Sequence, residues 1–524
     1  MLVLFFAVML FVGFKCRNRA NDVEGFVLGG RSVGPWLTAF AFGTSYFSAV
    51  IFVGYAGQFG WNFGLASTWI GLGNAFIGSL LAWNVLGRRT RVMTQHIGSR
   101  TMPDFFGKRF LSPKLTTVAS LIVFIFLIPY TASLYNGLSS LFNMAFDLPY
   151  WVCIVIMAIL TGIYVIFGGY MATAVNDFIQ GLIMLVGIVL VIGAVLTQNG
   201  GLMEAITTMS QIDAGTGMQG GFVSFLGPQP LALLFVVILT SLGTWGLPQM
   251  VGKFYAIKSD DAIKKGTIIS TFFAVIVAGG CYFLGGFGRL YADKVVGANG
   301  AINFDSIVPT MLSDLSPILI AIVIVLVLSA SMSTLSSLVL TSSSTLTLDV
   351  IVPRMKGENK EKKQVNMMRV FIVFFIIVSA VIAIIKDAFG FTFIAQMMGV
   401  SWGALAGAFL APFLYGLYWK RTTKASVIVS FITGCGIEIF QLIVSLAGIK
   451  FASPFFGYIF ASSVRSGAMA MIVGLIIVPI VSLLSRLPTR KLLTKCSLLT
   501  TQPLPFPLRR ISAVTNKILV THFE

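Results

Sequence analysis

Along the chain, long apolar runs alternate with short polar, mostly basic segments. Runs near or above the ~20 residues that cross a bilayer fall at roughly 36–57, 62–87, 115–141, 150–170, 174–198, 228–252, 266–288, 316–348, 367–389, 390–418, 424–448 and 468–486. A shorter run at 2–14 precedes them. Lys15, Arg17 and Arg19 follow it and no basic residue comes before it, the reverse of a signal peptide, so it predicts a first helix entering from outside. The pattern predicts an all-α polytopic membrane protein of about 13 transmembrane helices.

Two runs are interrupted. The second contains Gly43, Gly54 and Gly57 around a polar centre, and the seventh contains Gly243, Gly246 and Pro248. Glycine is a weak helix former and proline removes a backbone donor. At bilayer depth such backbone is tolerated only where it is buried or lines a cavity. The two runs are five apart, so each opens a five-helix unit, and an odd helix number inverts the second unit. This predicts inverted repeats at 36–198 and 199–418, with the substrate site at the two interruptions. Residues 1–35 then hold the first helix and an inner loop, 419–487 hold peripheral transmembrane helices, and 488–524 form a cytoplasmic tail.

The ninth run departs from the others. Twelve of the nineteen residues from Ser329 to Thr347 carry a hydroxyl. Hydrocarbon offers hydroxyls no partner. Ala330, Ser333, Thr334 and Ser337 recur at helical spacing and share one face. That face suits either close helix packing through small side chains or a small cation.

Composition narrows the function. The chain is 57 % hydrophobic and 10 % charged, against about 25 % charged in soluble domains. Its net charge of +18 reflects topology rather than a nucleic-acid partner. All but five of the 36 Lys and Arg (Arg289, Lys294, Lys386, Lys450 and Arg465) fall on one side, which the positive-inside rule makes cytoplasmic. The expected location is the plasma membrane, N-terminus outside and C-terminus cytoplasmic. Five scattered cysteines and two histidines define neither a disulfide framework nor a zinc site. No phosphate-binding motif or nucleophile–base pair appears, so the chain does not read as an enzyme. Nothing in the pattern marks an oligomeric state.

Two acids fall well inside runs. Asp177 sits with Asn176 and Gln180 near the inner end of the sixth, as a cation ligand or as an acid at a helix N-terminus. Glu438 lies in the twelfth, where a hydrogen bond to a neighbouring helix is expected. No Lys or Arg is expected to be buried in the core runs, so a solute anion would rest on helix N-termini, hydroxyls and a bound cation.

Five stretches together resemble the sodium:solute symporter family, which includes bacterial sodium/proline, pantothenate and sialic-acid symporters, over about 26–434. They are GGRSVGPWLTAFAFGTS (29–45), TMPDFFGKRF (101–110), GIYVIFGGYMATAVNDFIQG (162–181), SASMSTLSS (329–337) and GAFLAPFLYGLYWKRTTK (407–424). The resemblance implies a LeuT-like 5+5 inverted-repeat core and Na+ as the coupling ion. It implies a main sodium site at Thr44, Phe47, Ala330, Ser333 and Thr334. A second sodium site is implied at Asp177 with Ser333, Ser336 and Ser337. Tyr46 stands where proline transporters carry an aspartate, and Thr240 and Thr244 stand where they carry aromatic residues. The substrate-binding candidates are Tyr130, Ser133, Thr244, Trp245, Pro248 and Gln249, with Tyr135 and Gln396 beside them. The expected function is sodium-coupled symport of a small polar organic solute by alternating access. Proton coupling through Asp177 or Glu438, and a non-transporting solute sensor, stay open as alternatives.

Overall fold

The computed structural model describes residues 1–146, 149–215, 217–297, 300–355, 360–389 and 394–486. The expected tail at 488–524 lies outside the described residues. Those residues are almost entirely helical, with two isolated bridges, Val33 with Ile257 and Val296 with Ile302. The main helices are α1 (Leu2–Cys16), α2 (Pro35–Tyr46), α3 (Val50–His96), α4 (Pro113–Phe146), α5 (Tyr150–Gln198), α6 (Pro230–Ala256), α7 (Asp260–Gly285), α8 (Pro317–Arg354), α9 (Lys360–Phe389), α10 (Ile394–Tyr418), α11 (Lys424–Ala447) and α12 (Ser463–Leu484).

Ten described helices are long and apolar enough to cross a membrane, against the thirteen runs in the sequence. Two of them, α3 and α5, have 47 and 49 residues, ~70 Å of helix and far more than one crossing. Each bends at a glycine. Gly64 takes φ +60° and Gly169 takes φ +53°, a region that disfavours side chains. A Cβ on Gly169 would also stand 2.9 Å from the Phe26 carbonyl oxygen.

The outside is apolar and the interior holds the polar groups. Val189, Ile268, Phe272, Ile318, Ile377 and Ile432 are exposed, while Asp177, Asn176, Gln180, Glu438 and most of the α8 hydroxyls are buried. Water would reverse that arrangement; a bilayer favours it. Within the bundle α2 packs against α5, α7 and α8, and α8 runs along α5, while α10, α11 and α12 pack against one another beside them. Glycines set the closest approaches. A Cβ on Gly60 would lie 1.9 Å from the Gly285 carbonyl oxygen of α7.

Both predicted interruptions are real breaks, displaced by a few residues. α2 ends at Tyr46, and Phe47 is extended at φ −80°, ψ 114°. Leu247 is extended at φ −85°, ψ 120°, just before Pro248 restarts α6. The two bends match to within a few degrees. Gly54 and Gly57 do not interrupt the helix; Gly57 instead lets the Phe304 carbonyl come within 2.8 Å of where its Cβ would be.

The expectation that no basic residue lies inside a span is corrected. α6 continues past residue 252 to Ala256 and carries Lys253 inward, where it is 3 % exposed. Asp349, near the end of α8, is a further buried acid, accepting hydrogen bonds from Thr101 at 2.6 Å and Ser120 at 3.2 Å.

Candidate functional site

The main cluster forms where the end of α2 meets the middle of α8. When α2 stops at Tyr46, the carbonyls of its last turn lose the amides that would continue the ladder. The Thr44 and Phe47 carbonyls turn toward α8. There the Thr334 hydroxyl lies 2.9 Å from the Thr44 oxygen, 3.3 Å from the Phe47 oxygen and 3.1 Å from the Ala330 oxygen. The Ser333 hydroxyl lies 3.3 Å from the Thr44 oxygen, 3.2 Å from the Ala330 oxygen and 2.8 Å from the Ser329 oxygen. All of these residues are buried.

A hydroxyl has one proton to donate. Two hydroxyls therefore face more carbonyl oxygens than they can satisfy, in a region without exposure to water. Three carbonyls and two hydroxyls converging there make an electron-rich pocket for a small hard cation. Thr44, Phe47, Ala330, Ser333 and Thr334, named from the sequence, are thus brought together.

The second set is arranged differently. Asp177 on α5 is 0 % exposed. Among the described residues no group hydrogen-bonds either of its carboxylate oxygens. Its nearest charge is Lys253, with Nζ 3.8 Å from Oδ2. Lys253 Nζ donates to Ser337 Oγ at 3.0 Å, and Ser337 Oγ lies 2.7 Å from Ser45 Oγ. The ammonium also stands 5.3 Å above the Tyr170 ring. Ser336 turns away and donates to the Ser333 carbonyl at 2.9 Å. Helix α1 holds the polar neighbours of Asp177: Asn176 Nδ2 donates to the Met9 carbonyl at 3.3 Å, and Gln180 Nε2 lies 3.3 Å from the Met9 sulfur.

Sequence reasoning missed Lys253 because a lysine at the end of an apolar run reads as the first loop charge. The available signal was its partner. A buried aspartate needs a counter-charge, and Lys253 is one of the few cations near enough in the pattern to supply it.

The solute candidates divide into three groups. Thr244 borders a cavity of about 10 Å³ with Phe42, Tyr46, Asn74, Ser79 and Ser270. Tyr130 belongs to an aromatic cluster beyond it: the Trp402 ring lies edge-to-face with Tyr130 at 5.9 Å and tilted against Tyr46 at 5.6 Å. The hydroxyls of Tyr46, Tyr55, Tyr130 and Tyr282 and the Trp402 indole nitrogen are buried; Tyr46 faces Tyr282 and Tyr130 faces Ser48 and Trp402, none in close hydrogen-bond geometry among the described residues. Pro248 and Gln249 instead line a cavity of about 50 Å³ that also touches Lys253, Ser337 and Arg100. Both amide atoms of Gln249 have no hydrogen-bond partner among the described residues. Ser133 and Trp245 are engaged elsewhere: Ser133 donates to the Tyr130 carbonyl at 2.7 Å and Trp245 Nε1 to the Ile77 carbonyl at 3.0 Å. Tyr55, Tyr282 and Trp402 were not foreseen; Tyr282 and Trp402 lie in runs that read as ordinary apolar helix, and Tyr55 sits between Gly54 and Gly57 of the interrupted second run.

Glu438 lies away from both of these clusters. Ser466 on α12 donates to its Oε1 at 2.8 Å, the interhelix bond expected of it. Gly403 and Gly467 leave room for the carboxyl.

Comparisons with known proteins identify the family and the fold. Residues 26–434 match the sodium:solute symporter family. The osmoregulated proline transporter OpuE of Bacillus subtilis (strain 168) is 28 % identical over 451 residues, covering 85 % of this chain and 88 % of that protein. The sodium/proline symporter 2 of Staphylococcus saprophyticus is 28 % identical over 452 residues, covering 84 % and 85 %. Among solved structures, the substrate-bound outward-open state of a Na+-coupled sialic acid symporter superposes with a TM-score of 0.72. It is 18 % identical and covers 93 % of this chain and 97 % of that one. That likeness speaks for the fold alone.

Proposed function

The chain belongs to the sodium:solute symporter family, and on that premise we propose that the oxygens gathered at the α2 break and the middle of α8 hold its coupling sodium ion. The protein is a sodium-coupled membrane transporter of LeuT-like fold, not an enzyme. The observation that carries the site is the Thr334 hydroxyl, within 3.3 Å of the Thr44, Phe47 and Ala330 carbonyls. Carbonyls freed by a broken helix are what such transporters use to coordinate sodium.

The solute is a small polar organic molecule: an amino acid, carboxylate, sugar acid or vitamin. It would sit beside the breaks, against Thr244 and the buried hydroxyls of Tyr46 and Tyr130, with Gln249 on the path to the basic end. That end is cytoplasmic, with the N-terminus outside, in the plasma membrane, and the two five-helix units at 36–198 and 199–418 rock against each other. Sodium ties the α2 break to α8 and completes the pocket. Low internal sodium and an inside-negative potential, ~2.3 kcal/mol per charge per 100 mV, then drive release.

Melting of the purified protein with amino acids, monocarboxylates, sugars, sialic acid and pantothenate, each in sodium and in potassium, tests this reading. A solute at 100 times its Kd adds ~2.7 kcal/mol of stability. At least one compound stabilises the protein in sodium alone. Stabilisation of equal size in both salts by every active compound would contradict sodium coupling at this site.

A further inference from the structure

We propose that Lys253 is a built-in cation that takes the place of a second sodium ion beside Asp177, so that this transporter binds one sodium per cycle. The proposal rests on the reading above for the main site and extends it to the neighbouring one.

Asp177 lies fully buried with no hydrogen bond to either carboxylate oxygen among the described residues. A buried carboxylate in that condition needs a positive charge close by. The groups suited to hold a sodium ion with it are the α8 serines. The structure instead places an ammonium between Asp177 and the nearest engaged serine: Nζ is 3.8 Å from Asp177 Oδ2 and 3.0 Å from Ser337 Oγ.

The hydrogen-bond directions fit an ammonium. Lysine can only donate, so Ser337 accepts from Lys253 and its own proton is free for Ser45. Ser45 in turn donates to the Ala41 carbonyl at 2.6 Å. Each hydroxyl in this chain of contacts, Lys253 to Ser337 to Ser45 to Ala41, accepts once and donates once. The remaining two serines are committed elsewhere, Ser336 to the Ser333 carbonyl and Ser333 to the main site.

The position of Lys253 is built rather than incidental. It follows the α6 break by half a dozen residues, on the short helical segment Pro248–Ala256, and its stem is enclosed while its head meets Tyr170. Its hydroxyl chain ends on Ser45, next to Thr44, whose carbonyl belongs to the main site. A tethered charge therefore does at this place what an ion from solution does one turn away. It links both broken helices to α8, and it cannot leave with the solute.

The test is the number of radiolabelled sodium ions bound per purified protein at saturation, with folding checked by melting and by a single elution peak. The wild type binds one, Lys253→Arg binds one, and Asp177→Asn still binds one. Lys253→Gln, which exposes Asp177 to solution cations, binds two, and Lys253→Gln/Asp177→Asn returns to one. Two ions in the wild type, loss of one in Asp177→Asn, or one in a folded Lys253→Gln would each overturn the proposal. The first two hold even where Lys253→Gln does not fold. Ser333→Ala/Thr334→Ala separates the two readings. An unchanged count in that variant overturns the main site, while the Lys253 assignment is still decided by Lys253→Gln.

Discussion

Two places on the same helix are built in opposite ways. At Ala330–Thr334, α8 meets the open end of α2 and gathers neutral oxygens: three carbonyls and two hydroxyls with too few protons among them. About one turn further along, Ser337 faces a full charge pair, Lys253 and Asp177, with its own hydrogen-bond chain. The first place has dipoles and no charge, so it suits an ion that arrives and departs. The second has its cation covalently attached. On the reading proposed above, one Ser/Thr-rich helix carries a reversible site and a permanent one, and what separates them is the side chain that α6 sends in.

The largest effect in that comparison belongs to the charged place. Asp177→Asn leaves a buried ammonium without its partner, and losing one member of a buried pair costs about 3–5 kcal/mol. Melting in detergent should fall accordingly, and Lys253→Gln/Asp177→Asn should recover most of the loss. A single Asp177→Asn variant as stable as the wild type would show that the pair is not what neutralises this region.

At the neutral place the effect appears in sodium rather than in stability. Thr334→Ala removes one ligand of a charged species, worth about 1.5–3 kcal/mol. The sodium concentration for half-maximal binding should rise about 10- to 100-fold, since each 1.4 kcal/mol is a factor of ten. An unchanged sodium titration would remove Thr334 from the site.

Trp245 tests how far the binding region extends. Its indole donates to the Ile77 carbonyl, so Trp245→Phe should lower stability by about 0.5–1.5 kcal/mol and leave sodium binding alone. A clear loss of sodium binding would place Trp245 in the site.

The smallest effect is expected at a salt bridge outside the bundle. Arg88 and Arg91 pair with Asp260 at 2.8 and 3.2 Å, with the Asp260 side chain 39 % exposed. Exposed pairs contribute about 0–1 kcal/mol, so Asp260→Ala should barely move the melting point. A loss as large as that of Asp177→Asn would erase the distinction between the buried pair and an ordinary one.

The broken helices and the hydroxyl face were legible in the sequence because both violate the bilayer's demands. Glycine with proline mid-run, and twelve hydroxyls in one helix, require a reason that ordinary spans do not. The location of the first break was less legible. Gly43, Gly54 and Gly57 drew attention, yet the extended residue is Phe47, and Gly57 serves a close contact with the Phe304 backbone. Lys253 was hidden by the rule that worked elsewhere. Counting basic residues at the ends of apolar runs orients the helices, and the same counting assigns every such lysine to a loop. Only tertiary structure shows that α6 extends to Ala256 and turns this one inward. The tyrosine and tryptophan groups around Tyr46 were hidden for a related reason, because in a membrane helix an aromatic residue is ordinary until its polar atom is found without a partner.

The most direct test of the whole account is a structure determined in saturating sodium. It should show one ion among the Thr44, Phe47 and Ala330 carbonyls and the Ser333 and Thr334 hydroxyls, with the Lys253 ammonium still between Asp177 and Ser337. An ion against Asp177 with Lys253 displaced, or no ion at the α2 break, would contradict it.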